Sequence, residues 1–276
     1  IEAMVEAARC WGVGSGSAHL IAGHSDEHHQ LELELAAFLK RDRAVLFSTG
    51  YMANLGVLAG LASRHSLVFQ DRLNHASLID AAHLAGAKLK RYQHRDPDSL
   101  IRLVKSNPGA SGLIVTDGVF SMDGDLAPLN ELAEISQEYK LPLVVDDAHG
   151  IGVVGENGQG CVESAGLGQK SIPILVGTLG KAFGTFGAFV AGSEELIETL
   201  INCSRTYIYT TALPPAVAAA TRASLGIIQQ EPWRRSHLTE LINQFRLGAA
   251  ELGLNLLESN TPIQPVIIGR VDEAVR

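Results

Sequence analysis

The sequence predicts an α/β protein: a mainly parallel sheet with helices on both faces, followed by part of a smaller C-terminal α/β domain. Three observations carry this. Short apolar runs alternate with helical patterns along most of the chain. The runs are rich in Val, Leu and Ile, as strands covered on both faces are. Polar residues crowd where the runs end, which is where open α/β sheets bind ligands.

Taken in order, residues 12–23 form a Gly/Ser-rich loop. A helix is predicted over 25–40, with Ser25 as N-cap and Leu31, Leu35 and Leu39 on one face. Strand-like runs follow at 44–47, 67–69, 88–92, 113–116, 142–145, 174–176 and 188–191. Helical patterns lie at 51–62, 76–85, 97–105 and 129–139. Pro214 opens a long helical region that breaks near Pro232 and runs to about Leu252, and 255–268 reads as strands of a second unit. The expected division is a large domain over 1–225 and the start of a small one over 226–276. Both ends read as cut. The chain opens inside a helix-like stretch without Met and stops at Arg276 just after an apolar run.

Of the 276 residues, 46% are hydrophobic, enough for a two-sided buried sheet. The net charge of −8 leaves no diffuse basic surface, so neither nucleic acid nor a membrane is an expected partner, and small-molecule chemistry is. Lys88, Lys90 and Arg91 form a local basic cluster whose plainer reading is a solvated strand edge. Cys10, Cys161 and Cys203 are far apart with no C-x-x-C pair, which argues against a disulfide framework and a structural zinc site and fits the reducing cytoplasm. No uninterrupted apolar run reaches the length of a membrane span, and no signal peptide is recognisable.

The strand ends hold the chemistry. The run 142–145 leads into Asp146, Asp147, Ala148 and His149. A carboxylate there needs a cationic or hydrogen-bonding partner; a protonated pyridine nitrogen is one, a metal or a helix N-terminus another. The run 174–176 leads into Gly177-Thr178-Leu179-Gly180-Lys181-Ala182-Phe183-Gly184, a lysine among small residues that leave room for an aldehyde. A nucleotide P-loop is excluded, because Leu175 stands where its first glycine belongs and Ala182 where its hydroxyl residue belongs. Ser48-Thr49-Gly50-Tyr51 opens a helix and offers N–H groups to a phosphate, although most such turns are only caps. His75 precedes a helix, either as a cap or as a stacking partner for a flat ligand. Gly12-Val13-Gly14-Ser15-Gly16 fails as a dinucleotide fingerprint, with no strand before it and Ser17 in place of the third glycine. His24, His28 and His29 have metal-ligand spacing, but no third ligand is evident and no metal is expected.

Four motifs in order then resemble one family: Asn74-His75-Ala76-Ser77, the run Asp117-Gly118-Val119-Phe120-Ser121-Met122-Asp123-Gly124, Val145-Asp146-Asp147-Ala148-His149-Gly150, and Thr178-Leu179-Gly180-Lys181. The sequence resembles the α-oxoamine synthases, pyridoxal phosphate (PLP) enzymes of the aspartate aminotransferase fold. The resemblance implies that Lys181 holds PLP as a Schiff base and removes the substrate α-proton. It further implies that Asp146 pairs with the ring nitrogen, His149 bonds the ring hydroxyl, and His75 stacks on the ring. Ser121 would lie near that hydroxyl, while Gly50, Tyr51 and Thr178 would hold the phosphate. A homodimer with shared sites is implied, with Thr210 or Thr211 reaching the partner's phosphate.

Gly187-Ala188 and the segments 207–216 and 263–269 resemble the biotin-pathway branch, which condenses L-alanine with a pimeloyl thioester (CoA or acyl carrier protein) and releases CO2. A sister branch using glycine is the alternative. A non-catalytic PLP-fold protein is disfavoured by the retention of both Lys181 and Asp146, and an NAD or nucleotide enzyme by the failed phosphate motifs. The family's N-terminal arm and later small domain, with the arginine that grips the substrate carboxylate, have no counterpart. A chain ending at Arg276 is therefore expected to bind PLP but condense poorly.

Overall fold

The computed structural model of the protein describes residues 1–275. In chain order the elements are α1 (Glu2–Trp11), a π-helical turn (His19–Gly23), α2 (Asp26–Phe38), β1 (Arg43–Phe47), α3 (Gly50–Leu61), β2 (Leu67–Asp71), α4 (Ala76–Leu84), β3 (Lys88–Tyr92) and α5 (Pro97–Lys105). Then come β4 (Gly112–Asp117), α6 (Leu129–Tyr139), β5 (Leu143–Asp146), α7 (Cys161–Ser164), β6 (Ile174–Thr178), β7 (Ala188–Gly192), α8 (Glu194–Cys203), α9 (Arg205–Ile208), α10 (Pro215–Gln230), α11 (Trp233–Glu251) and α12 (Val271–Ala274).

The strands form one sheet of order β1-β7-β6-β5-β4-β2-β3. β7 runs antiparallel to both its neighbours, and the remaining pairs are parallel. Side chains alternate between the faces with the two-residue period of a strand. Leu46, Ile114, Leu143, Val145, Leu175 and Phe189 enter one core, with residues of α2, α5, α6 and α10. Phe47, Val115, Val144, Val176 and Val190 enter the other, with residues of α3, α4, α8 and α9. Each fully buried aliphatic side chain stabilises by roughly 1.5–3 kcal/mol, so both layers hold the sheet and thereby fix the positions of its strand ends. β3 is an edge strand, and its Lys88 and Arg91 are exposed, the solvated edge expected for that basic cluster.

The parallel sheet covered on both faces is as predicted. Some details differ. The loop over 12–23 contains the tight turn His19–Gly23, closed where a Cβ on Gly23 would lie 2.0 Å from the Ser17 carbonyl oxygen, so only glycine fits. α8 forms behind Ser193, whose side chain accepts from Leu196 N–H, although no helix was expected there. Residues 255–268 do not form a strand pair; they meet in the single bridge Leu256–Val266, flanked by Ile267 N–H to the Asn255 carbonyl at 2.8 Å. Pro262 and Pro265 lack the donors a ladder needs, and among the described residues no further strand lies beside them. Among the described residues, no helix is long and apolar enough to cross a membrane.

Candidate active site

The carboxyl ends of β1, β2, β4, β5 and β6 face a cavity of ≈ 210 Å³. Its lining includes seven of the residues singled out from sequence: Gly50, Tyr51, His75, Asp146, His149, Thr178 and Lys181. Ser121 is not among them; it lies half-buried in the turn after β4. Four more residues complete the wall: Asn54, Ser77, Asp117 and Ala148.

Asp146 and Asp147 show why neighbours on a strand end do different work. Asp146 is buried at the cavity floor, where its Oδ2 accepts from Asn54 Nδ2 at 2.6 Å and its Oδ1 from Ala148 N–H at 3.1 Å. Asp147 turns to the other side and accepts from Cys161 N–H at 2.6 Å; burial pushes its carboxyl up to about 6. Asp117 lies opposite Asp146 in the β4–β5 register. Burial, and then the charge of Asp146, hold its carboxyl well above the usual range. The Asp117 Oδ2 accepts from His75 N–H at 3.0 Å.

Asn54 is the hinge of this floor. It stands in α3, buried, and the same Nδ2 that reaches Asp146 also donates to Ser77 Oγ at 2.9 Å. Ser77 in turn lies 2.7 Å from His75 Nδ1, and its N–H also points to that nitrogen at 3.3 Å. His75 is therefore the N-cap of α4, as one sequence reading had it, and also a wall of the cavity. Asn54 is a polar residue inside the otherwise apolar stretch Met52–Leu58. That pattern was its only sequence signal.

Lys181 stands at the open side, with Nζ 2.7 Å from His149 Nε2. Desolvation lowers its pKa, opposed by the attraction of Asp146 and Asp117. Burial, then the charges of Lys181 and His75, lower His149 to about 4, so its imidazole is neutral at pH 7 and accepts from the ammonium. The loop that carries Lys181 is fixed at its root: Thr178 Oγ1 donates to the Gly187 carbonyl at 3.1 Å and accepts from Gly180 N–H at 3.3 Å. At the far wall, Thr49 caps α3 through Met52 N–H at 3.2 Å, leaving the N–H groups of Gly50 and Tyr51 outside the helix ladder. The Tyr51 hydroxyl donates to Asp80. Thr210 and Thr211 do not line the cavity; Thr211 bridges to Ala18.

The cavity thus offers an anion cradle at one end, two carboxylates on its floor, an imidazole at each side and a desolvated amine at its mouth. Asp117 Oδ1 and Asn54 Oδ1 are buried there without a hydrogen-bond partner. A flat ligand with a cationic ring and a phosphate matches this donor set.

Comparison with known proteins agrees. The profile of the family described as aminotransferase class I and II matches residues 1–275. The 8-amino-7-oxononanoate synthase of Saccharophagus degradans is 60% identical over 269 residues, 98% of this chain and 68% of that protein. The one from Nitrosococcus oceani is 60% identical over 274 residues, 99% of this chain and 73% of its own length. Among solved structures, a serine palmitoyltransferase from S. paucimobilis with bound PLP–myriocin superposes with a TM-score of 0.94 at 31% identity, covering 98% of this chain and 71% of that one. The 8-amino-7-oxononanoate synthase of Francisella tularensis does so with 0.86 at 37% identity, covering 100% and 78%.

Proposed function

Since the chain belongs to the aminotransferase class I and II family and, within it, to the PLP-dependent α-oxoamine synthases, we propose that it condenses L-alanine with a pimeloyl thioester, releasing CO2 and the thiol and giving 8-amino-7-oxononanoate for biotin synthesis. The observation that carries this reading is the pairing, across one cavity, of an amine with lowered pKa on Lys181 and a buried, doubly hydrogen-bonded carboxylate on Asp146. Identities of 58–60% to proteins of that name, against 31–32% to the serine palmitoyltransferases, favour alanine over serine as the amino acid. The working form is a cytoplasmic homodimer.

The residues fit PLP. Lys181 would hold its aldehyde carbon, Asp146 its ring nitrogen, His149 its ring hydroxyl, His75 one ring face, and Gly50, Tyr51 and Thr178 its phosphate. When bound, PLP supplies a protonated ring that accepts the electron pair left at the amino-acid α-carbon. Everything else falls to the chain. Asp146 Oδ2, anchored by Asn54, keeps a proton on the ring nitrogen. Lys181 Nζ takes the α-proton of alanine, and its lowered pKa raises the fraction that is free base at neutral pH. His149, neutral, accepts from Lys181 Nζ and holds that nitrogen toward the cavity. The exposed N–H groups at the start of α3 fix the phosphate end, so the reacting carbon does not drift from the amine.

Borohydride reduction followed by peptide mapping tests the assignment. A pyridoxyl adduct on Lys181 is expected; an adduct elsewhere, or none, overturns it. Incubation of the PLP-loaded protein in D2O with alanine, glycine or serine separates the branches, because only the cognate amino acid should exchange its α-proton rapidly. Product formation with pimeloyl-CoA and with pimeloyl acyl carrier protein then identifies the donor.

A further inference from the structure

The sequence pattern His24, His28, His29 lacked a third ligand, and the fold supplies one from the same helix. His24 follows the π-helical turn, and His29 and Glu32 lie three residues apart near the start of α2, on one helical face. One ligand atom from each of His24, His29 and Glu32 lies within 4.8 Å of the others, and His24 Nε2 is 3.8 Å from Glu32 Oε2. We infer that His24, His29 and Glu32 form a binding site for one divalent transition-metal ion of the zinc type, outside the PLP cavity.

The distances are close to those required. A tetrahedral zinc with bonds of about 2.0–2.2 Å holds its ligand atoms roughly 3.3–3.6 Å apart. Side-chain adjustments of about an ångström at three residues would bring the ligand atoms to that spacing.

The surroundings prepare each ligand. His24 Nδ1 is hydrogen-bonded to His19 Nδ1 at 2.9 Å, and His19 is buried and stacked on Tyr207, with ring centroids 5.0 Å apart. The tautomer in which His24 donates its Nδ1 proton to His19 carries a lone pair on Nε2, on the side of Glu32, as metal-bound histidines held by an outer partner do. Glu32 Oε1 accepts from Leu46 N–H at 3.0 Å, which leaves Oε2 for a ligand. The Glu32 carboxylate is largely buried, and the nearest guanidinium, Arg43, is engaged by Glu194 and Glu198. A divalent cation supplies the charge that this carboxylate lacks. Three protein ligands leave a fourth position open to water, so the ion is exchangeable rather than locked in.

Two neighbours are excluded by the same reasoning. His28 points inward, its Nε2 2.6 Å from the Leu213 carbonyl and its Nδ1 accepting from Ser25 N–H at 3.0 Å, so neither nitrogen is available. The other cluster of suitable residues, His94 with Asp123 and Asp125, already holds a cation: Asp125 accepts from the Arg95 guanidinium at 2.9 Å, where Glu32 has no such partner among the described residues.

The experiment is a zinc chloride titration by calorimetry of holoprotein stripped with chelator and fixed with borohydride, so that the cofactor itself cannot chelate. One Zn2+ per chain with micromolar affinity is expected. His29→Ala, at an exposed position, should bind at least about 100-fold more weakly, and His19→Ala, which removes only the outer partner, about 10–100-fold more weakly. Glu32→Gln should also abolish tight binding, while His65→Ala, at a distant exposed position, should match the parent. The thermal midpoint of zinc-free His29→Ala should equal that of the zinc-free parent, which separates lost ligation from lost folding. Absence of saturable binding, or parental affinity in His29→Ala, overturns the inference. Either outcome is read without the catalytic assay, so it stands or falls apart from the proposed function.

Discussion

Replacing Asn54 by Ala tests whether the floor of the cavity is tuned through a residue that reacts with nothing. Asn54 Nδ2 gives the buried Asp146 one of its two hydrogen bonds, at 2.6 Å, and Asp117 stands opposite in the sheet register. Without that donor the Asp146 carboxylate loses a charge-assisted bond and is no longer anchored toward the cavity, so it would hold a cationic ring less well. A hydrogen bond to a charged group contributes about 1.5–3 kcal/mol, and at 1.36 kcal/mol per decade that corresponds to roughly 10–150-fold. Only the ionised form of Asp146 pairs with a protonated ring, so PLP affinity at neutral pH should fall by about tenfold or more, with the full range as a ceiling. The assay is spectrophotometric titration of the apo-protein with PLP at neutral pH, alongside circular dichroism to verify the fold. A folded Asn54→Ala protein with a dissociation constant within a factor of two of the parent would refute the reasoning.

Three further outcomes are expected. Gly50→Val places a side chain beside Thr178, whose Cβ would lie 3.9 Å from the new Cβ, inside the anion cradle; PLP should bind more weakly while pyridoxal, which has no phosphate, binds as before in a fluorescence titration. Leu143→Ala, at a fully buried strand position, should lower stability by about 2–5 kcal/mol in urea unfolding. His149 has a folded pKa of about 4 against 6.5 when exposed, so the unfolded chain binds the extra proton between those values. The stability of the parent relative to His149→Asn should therefore rise as pH climbs from about 4 to 6.5 and level off above, and a flat difference would count against the assignment.

The parts of this structure legible in the sequence are those where one physical rule acts alone. The strands announce themselves because a strand covered on both faces must be apolar throughout, and Leu143, Val144 and Val145 can do little else. Asp146 stands out because a charged group directly after such a run needs a reason to be there, and Lys181 because it sits among small residues beyond one. Asn54 was invisible for the opposite reason: a lone amide in a helix reads as a surface residue unless the packing on that face is known. Strand direction escaped too, since composition carries no arrow. The clue was loop length. Only residues 179–187 separate β6 from β7, too few for the crossover of a dozen or more residues that a parallel partner needs. Residues 255–268 misled because Ile, Leu and Val argued for strands while two prolines argued against, and pairing partners decide such cases.

The electrostatics of the cavity explain why its reactive groups come from different strands. Asp117 and Asp146 lie side by side at the ends of β4 and β5, and burial, then the charge of Asp146, raises the Asp117 carboxyl. Lys181, on the loop after β6, is the one lysine or arginine among the lining residues, and its attraction to both carboxylates offsets part of the desolvation that lowers its pKa. An amine placed on β5 itself would ion-pair with Asp146 and stay protonated, leaving little of it as free base. Set one strand away and held by the neutral His149, it stays close enough to relieve the floor but remains free to react. The same floor is left short of positive charge when Lys181 gives up its own to become a nucleophile. A cationic ring bound beside Asp146 would restore it, so cofactor binding and a free-base Lys181 would favour each other.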